Sequence, residues 1–589
     1  MSYFFSLGVI IILIKSIRKD LQSCFEKLGY PARDVSVTFS DRPDLCHYQS
    51  NNAFRLAKAL KKTPLAIAGE LANEFNARFS YAKAEAAAPG FVNFSVKEEG
   101  FTGHLQELLE DERCGVKPLE EPLKIIVDYG GPNIAKPLHV GHLRSAVIGE
   151  CMKRLAAFLG NRVLGDIHLG DWGLQMGLTI AGIMEKFDAS PYFEGRRPET
   201  PPFTVDDLNE IYPYAIERSK TDEEFMELAQ EITLKLQKHE KGYYEIWEDM
   251  CRVSIDDIKQ DYGKLNVEFD LWYGESSCDS YVEPMLEDMI KRGLAYESDG
   301  ALVMDVSLPD DEKPVPPVLL RKSNGAQIYA STDLATLAMR MKEVDPDEIW
   351  YFTDARQALH FEQVFRAAYK SGIVKKETKL MHFPFGTVNG KDGKPFKTRE
   401  GGVMKLKDLI AMITEAADSL LSPAAKEADA DAARKVGVAA LKYGDLMCNR
   451  IRNYTFDIDK FLQFDGKTGS YLLYTLVRIR SLFEKLGEES AQIDKAKLKV
   501  TSDLEKNILL KMEMLAAAYR QSYEEKLPNY ICDAVFDLAN AFNVFYGSCR
   551  ILGEPDPWKR STWIALSRIV GNMLRQTLHV LGIEPVTAM

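Results

Sequence analysis

His139 and His142 stand three residues apart, with Gly141 between them and Lys136 just ahead, in the run Lys136-Pro-Leu-His-Val-Gly-His142. On the first turn of a helix, residues three apart share one face. The start of a helix also offers unpaired N–H groups and a partial positive charge of about half a proton. Two imidazoles and an ammonium on that dipole suit a triphosphate, because they can hold the charge that develops on an α-phosphate during nucleotidyl transfer. Gly141 lets a flat adenine or ribose approach the backbone without meeting a Cβ. The alternative for such a pair taken alone is a surface pair or an adventitious metal site. A zinc protease would need a glutamate beside the first histidine and four-residue spacing, and neither is present.

A strand, a loop and a helix must present these groups. Ile125, Ile126 and Val127 read as a buried strand, broken by Gly130, Gly131 and Pro132. Val147, Ile148, Met152, Leu155, Ala156 and Leu159 then recur at helical spacing until Gly160. Residues 163–169 read as the next strand, and Gly170-Asp171-Trp172-Gly173 as the loop at its carboxyl end. Such ends face the ligand crevice of a doubly wound parallel sheet, so Asp171 and Trp172 are expected to line the site, with packing as the alternative for Trp172. The stretch from 183 to about 265 is charge-dense with apolar residues at three and four spacing, an inserted helical element to which no chemistry is assigned. Strands resume at 301–306 and 349–353.

On either side lie different units. Residues 15–113 read as a compact α+β unit, with Leu21, Phe25 and Leu28 on one helical face and an alternating strand at 90–96. Beyond Ala411 the chain is amphipathic helix, broken at Pro528 and Gly553. The apolar run of eleven residues from Phe4 to Ile14 is too short to cross a bilayer as a helix of about twenty residues. It is expected to pack into the first domain. The expected fold is an α/β Rossmann-like core with an N-terminal α+β domain and a C-terminal all-α bundle. The expected divisions are 1–115, 116–410 (helical insertion about 183–265), 411–465 and 466–589.

Composition allows an RNA partner without favouring it. A chain of 589 residues with 46% hydrophobic content can bury several cores. The net charge of −13 opposes phosphate binding, yet 74 basic residues suffice for a local basic track. Nine cysteines without a CxxC suggest neither a disulfide framework nor a zinc knuckle. A reducing cytosol is expected, with no protein-bound metal and no membrane attachment.

The run Asp128-Tyr-Gly-Gly-Pro-Asn-Ile-Ala-Lys-Pro-Leu-His-Val-Gly-His-Leu-Arg-Ser145 resembles the signature of class I aminoacyl-tRNA synthetases, in the long form found in arginyl-tRNA synthetases. That resemblance implies a pocket for arginine. A guanidinium is a planar fork of donors, read best by a carboxylate. Tyr329 and Asp333 match the family's YxxxD pair on the arginine side chain. Asp128 stands where the family usually has an assisting glutamate, and Asn133 and Gln357 match the amides that hold the α-carboxylate and α-ammonium. Without the family, these amides would read as surface or capping residues. The mobile lysine loop of the class corresponds to Gly390-Lys-Asp-Gly-Lys394-Pro-Phe-Lys397-Thr-Arg399-Glu-Gly-Gly402, a degenerate form in which Lys136, Lys394, Lys397 and Arg399 are all candidates to reach the pyrophosphate. Asn51 and Phe54 match the family's contact to the tRNA D-loop, an amide reading a base edge and an aromatic stacking on it. A helix-capping Asn and a core Phe are the alternatives. In the terminal bundle, entered through Phe464-Asp-Gly-Lys-Thr-Gly-Ser-Tyr471, residues Tyr471, Tyr474, Arg478 and Arg480 offer stacking and phosphate contacts for an anticodon. Core packing is the alternative for the tyrosines.

The resemblance implies a monomer that uses ATP and Mg²⁺ to form arginyl-adenylate, then transfers the arginyl group to the terminal adenosine of tRNA(Arg). A catalytically silent tRNA-binding or scaffold paralogue is the competing expectation.

Overall fold

The computed structural model describes residues 12–589 other than 324, 326–327, 391–392, 394–403 and 488–492. The apolar residues 4–11 and the loop cations Lys394, Lys397 and Arg399 therefore lie outside the described residues. In α1 (Ile12–Lys27), Leu13, Ile17, Leu21, Cys24 and Phe25 are buried, the helical spacing expected of one packed face. The chain continues through β1 (Thr38–Phe39), β2 (Tyr48–Ser50), α2 (Asn52–Leu60), α3 (Pro64–Arg78), β3 (Ala82–Ala87), β4 (Phe91–Val96) and α4 (Glu98–Glu110). Its strands pair antiparallel in the order β1-β2-β4-β3. Burial alternates along β4, as a sheet with one covered face requires.

The central core starts at β5 (Lys124–Tyr129), buried at five of six positions as a central parallel strand should be. There follow α5 (Val140–Phe158), β6 (Arg162–Asp166) and α6 (Leu174–Lys186). The inserted layer is helical: a short α7 (Ser190–Phe193), then α8 (Val205–Arg218), α9 (Glu223–Gln237) and α10 (Lys241–Lys264). After α11 (Glu275–Lys291), β7 (Tyr296–Ser298), β8 (Ala301–Met304) and β9 (Val318–Arg321) form a small antiparallel sheet. The core closes with α12 (Tyr329–Glu343), β10 (Glu348–Phe352), α13 (Ala358–Ser371) and β11 (Lys379–His382).

The central sheet has the order β11-β10-β5-β6, and all its pairs are parallel. From β5 the chain winds one way to β6, and from β10 it winds the other way to β11. The β5/β10 pair is therefore the switch point, where a crevice opens at the carboxyl ends. Ser145 of α5 ties that point together: its Oγ accepts from the Gly130 N–H (2.8 Å) and donates to the Phe352 carbonyl (2.6 Å).

Beyond the core come β12 (Val388–Asn389), α14 (Leu406–Asp418), a short α15 (Pro423–Ala428), α16 (Ala432–Leu446), β13 (Tyr454–Thr455) and a short α17 (Ile458–Phe461). Buried Arg144 anchors this region to α5, donating from Nε to Asp445 (3.2 Å) and from Nη1 to the carbonyls of Gly386 (2.8 Å) and Arg452 (3.0 Å). The terminal bundle is α18 (Gly469–Leu486), α19 (Asp503–Glu525), α20 (Asn529–Ser548) and α21 (Pro557–Val580). It is joined to the N-terminal unit through Glu513, which accepts from the Tyr48 phenol (2.6 Å) and the Leu13 N–H (3.0 Å). Burial pushes the Glu513 carboxyl up to about 8 and the nearby His104 imidazole down to about 3, so the contact joins uncharged groups at neutral pH. Among the described residues, no helix is long and apolar enough to cross a membrane.

Candidate active site

His139 is the N-cap of α5. Its Nδ1 accepts the Gly141 N–H (3.0 Å), and His142 Nδ1 accepts the His139 N–H (3.1 Å). Both Nδ1 atoms are acceptors, so each neutral ring carries its proton on Nε2. The rings lie 4.0 Å apart. Burial pulls both imidazoles below their ordinary range, His142 to about 3, with Lys136 and, for His142, His139 adding to the effect. The pair therefore presents two neutral N–H groups at a helix start, with Lys136 as the nearby cation. That lysine is exposed in a turn where buried Ala135 takes a left-handed φ of 62°, a conformation that costs about 1–2 kcal/mol. Gly141 has a role beyond giving a ligand room, since a Cβ there would lie 2.6 Å from His139 Cε1.

The same loop carries Asn133, which bridges to Gly170 and donates from Nδ2 to Gln175 Oε1 (3.2 Å). Gln175 Oε1 also accepts from the Tyr212 phenol (2.7 Å), and Tyr212 is close enough to Tyr329 to feel its charge. Tyr212 belongs to α8, so the insertion lends a side chain to the site wall after all. Tyr329 opens α12 with 66% of its surface exposed. Asp333 follows one helical turn later.

Glu275, the first residue of α11, completes an acidic slot. Burial pushes its carboxyl up to about 8, with Asp171 and Asp333 adding to the rise, and the Tyr329 phenol is raised by burial and by Glu275. A strand-like contact places it, because Leu169 bridges to Gly274 and the Glu275 N–H donates to the Leu169 carbonyl (3.0 Å). Asp171 then holds the start of α11, accepting from the Ser276 N–H (2.9 Å) and hydroxyl (2.6 Å). Trp172 is buried, donating to Asp279 (3.0 Å) with its ring edge-on to Trp247. Asp171 and Trp172 thus support the wall from behind.

Asp128 faces an internal partner. Arg340, wholly buried, donates from Nη2 to Asp128 (2.5 Å) and to Asp166 (2.5 Å), and from Nη1 to the Tyr351 hydroxyl (3.0 Å). Burial pushes the Asp128 carboxyl up against the pull of Arg340. Asp128 is therefore engaged by Arg340 inside the fold. Removing one partner leaves buried charge unpaired, so Arg340→Met is expected to lose about 3–5 kcal/mol of stability in urea denaturation. A loss under about 1 kcal/mol would mean that the two carboxyls protonate with little cost.

Gln357 is exposed at the end of the turn Ala355–Gln357 that follows β10. Met404 and Leu406, just beyond the basic segment, pair their backbones with Val140 (3.1 Å) and Leu138 (2.9 Å), beside the His139 turn. Farther away, Asn51 is exposed and makes no side-chain cap on α2, and Phe54 is 37% exposed with its ring edge-on to Phe91. Tyr471 packs on Phe536. Arg478 donates to Asn543 (2.7 Å) and to the hydroxyl of half-exposed Tyr474 (2.7 Å), while Arg480 pairs with Glu484 (2.9 Å). These groups lie on separate units, outside the crevice.

Sequence reasoning missed Glu275, Gln175, Tyr212 and His360, the last bonded to Asp333. An acid opening a helix is ordinarily explained by the helix dipole, and the others sit in unremarkable helical patterns.

Comparison with known proteins identifies the family. Residues 104–458 match the family described as tRNA synthetases class I (R), catalytic domain. Residues 472–589 match the DALR anticodon binding domain, and residues 12–96 the arginyl tRNA synthetase N terminal domain. An arginine–tRNA ligase of Alkaliphilus oremlandii is 45% identical over 580 residues, 97% of this chain and 99% of its own length. One from Agathobacter rectalis is 43% identical over 587 residues, 97% of this chain and 98% of its own length. Arginyl-tRNA synthetase of Plasmodium falciparum superposes with a TM-score of 0.80 at 25% identity, over 99% of this chain and all of its own. On a match that runs through all three of its units, the chain belongs to the arginyl-tRNA synthetase family of class I aminoacyl-tRNA synthetases.

Proposed function

We propose that the crevice at the β5/β10 switch point is where this arginine–tRNA ligase forms arginyl-adenylate from L-arginine and ATP, before the arginyl group passes to the terminal adenosine of tRNA(Arg). Membership of the family carries the activity; what is proposed is the allocation of residues. The observation that supports it is a pair of neutral Nε2–H donors on a helix start, linked through Asn133, Gln175 and Tyr212 to an acidic slot.

The substrate carboxylate has a reference pKa of about 3.5, so it is ionised and needs no general base to attack the α-phosphate in line. His139 and His142 donate to the phosphate oxygens, the start of α5 and Lys136 supply positive potential, and Gly141 keeps the His139 ring seated. Asn133 and Gln357 hold the α-carboxylate and α-ammonium. Tyr329, Asp333 and Glu275 receive the guanidinium, with Asp128 below them. Lys394 and Lys397 are assigned to the departing pyrophosphate. Among the described residues no cluster of three His, Cys, Asp or Glu is arranged to hold a metal. Mg²⁺ is assigned to the nucleotide, as phosphoryl chemistry requires, where it would neutralise phosphate charge.

The tRNA is assigned to Asn51 and Phe54 in residues 1–115 and to Tyr471, Tyr474 and Arg478 in residues 466–589. Residues 116–410 carry the chemistry, and 411–465 connect it to the bundle. A cytoplasmic monomer is the assembly proposed.

The test is arginylation of tRNA(Arg) with labelled arginine, followed by its pH dependence. Glu275 is largely protonated in the empty slot at neutral pH and must ionise to pair with a guanidinium. Binding therefore loses up to about ten-fold for each pH unit below about 8. The KM for arginine is expected to fall as pH rises through that value, and Glu275→Gln is expected to raise KM and abolish that part of the slope. A KM that does not respond to either change removes Glu275 from the slot.

A further inference from the structure

His360 takes no part in the steps above, yet it occupies the carboxylate on which they depend. Its Nε2, presented by α13, lies 2.5 Å from Asp333 Oδ2, and both side chains are partly buried. Among the described residues, Asp333 Oδ1 has no hydrogen-bond partner. Among the described residues, Glu275, Cys278 and Tyr351 feel the charge of Asp333, and burial raises the Cys278 thiol and the Tyr351 phenol, so both stay uncharged. Glu275 on α11 feels Asp333 from one side. From the other, His382 on β11 faces His360 but is pulled down to about 4 by burial, Arg450 and His360 itself, and its ring stacks on Phe361. His382 is thus neutral, leaving His360 as the group that can place a proton charge against Asp333.

We propose that His360 is a positioning residue for the arginine slot, gripping one oxygen of Asp333 so that the other faces the substrate guanidinium, and standing in for that cation while the slot is empty. The proposal rests on the reading of Asp333 as a guanidinium partner. A carboxylate has acceptor sites for both donors. Two full cations on one carboxylate repel, so the arriving guanidinium favours neutral His360. The proton released to solvent is the one on Nδ1, because Nε2–H keeps its bond to Asp333. The hydrogen bond to Asp333 raises the imidazole above its ordinary range against the opposing effect of burial, so the empty slot favours the protonated ring. As pH is lowered and His360 takes up its proton, arginine affinity falls more steeply than the Glu275 slope alone requires.

The experiment is KM for arginine and kcat in tRNA arginylation from about pH 6 to about pH 8.5, for the full chain and three variants. His360→Gln places an amide N–H near the position of Nε2 and cannot titrate. It is expected to keep KM within about three-fold of the unsubstituted protein at the alkaline end while losing the part of the acid-end rise that exceeds the Glu275 slope. His360→Leu removes the donor and is expected to raise KM by about ten-fold across the range, with kcat changed much less. If both variants reproduce the original KM and pH profile, or if His360→Leu lowers kcat while leaving KM alone, the positioning role is overturned. Asp333→Asn separates the two levels. An unchanged KM in that variant overturns the arginine slot itself, whereas a raised KM beside two silent variants at position 360 overturns the role of His360 alone.

Discussion

His142→Ala is expected to slow arginylation by about 10²–10³-fold in kcat while leaving the KM for arginine within about three-fold. The reason is the fixed direction of the lost donor. His142 Nδ1 is committed to the His139 N–H, so Nε2–H points away from the helix end, in a site where its partner ring is only 4.0 Å away. Such a donor costs no reorganisation when charge grows on the phosphate, which is why its removal appears in kcat. Losing the cap is a separate effect of about 1 kcal/mol on stability. His142→Asn distinguishes the two, because its side-chain oxygen can still receive the His139 N–H but offers no Nε2–H. Steady-state kinetics should find it nearly as slow as the alanine variant. Recovery of activity in His142→Asn would assign the histidine to capping.

The second large effect is expected at Asp333. Replacement by asparagine removes the charge that faces a guanidinium and offers donors to a donor, at a cost of about 2–5 kcal/mol. KM for arginine should therefore rise by about 10²-fold or more, and KM for ATP should not. Preference over citrulline, a neutral isostere of arginine, should shrink with it, since discrimination by charge needs an ionised partner. Competition assays with citrulline measure this directly. Unchanged discrimination would move the selective contact elsewhere in the slot.

The contrast between these residues and Glu275 shows what a sequence can convey. His139, Gly141 and His142 act within one turn, so spacing and residue type state their geometry almost completely, and the strand before them is legible from three β-branched residues. Tyr329 and Asp333 share a helical turn, but their reading as an arginine pair comes from the resemblance to the family's YxxxD and not from spacing alone. Glu275 is different: its position depends on Leu169 bridging to Gly274, a contact between segments about a hundred residues apart. The partner of Asp128 in the fold is Arg340, 212 residues later. The layers, by contrast, follow from periodicity, because alternating burial in β4 and near-continuous burial in β5 are each written in local pattern. Arg144 and Ser145, at the end of the eighteen-residue signature, also have long-range partners. They join α5 to Asp445 and to the ends of two neighbouring strands.

One crevice holding an adenylate beside a cation slot is the claim on which every assignment here depends. Equilibrium binding of a non-hydrolysable arginyl-adenylate analogue tests it most directly, alongside binding of arginine and of ATP alone. The analogue should be weakened by about ten-fold or more by His142→Ala and again by Asp333→Asn, whereas ATP responds to the first and arginine to the second. An analogue that binds one of these variants as tightly as it binds the unsubstituted protein would place the two halves in different sites.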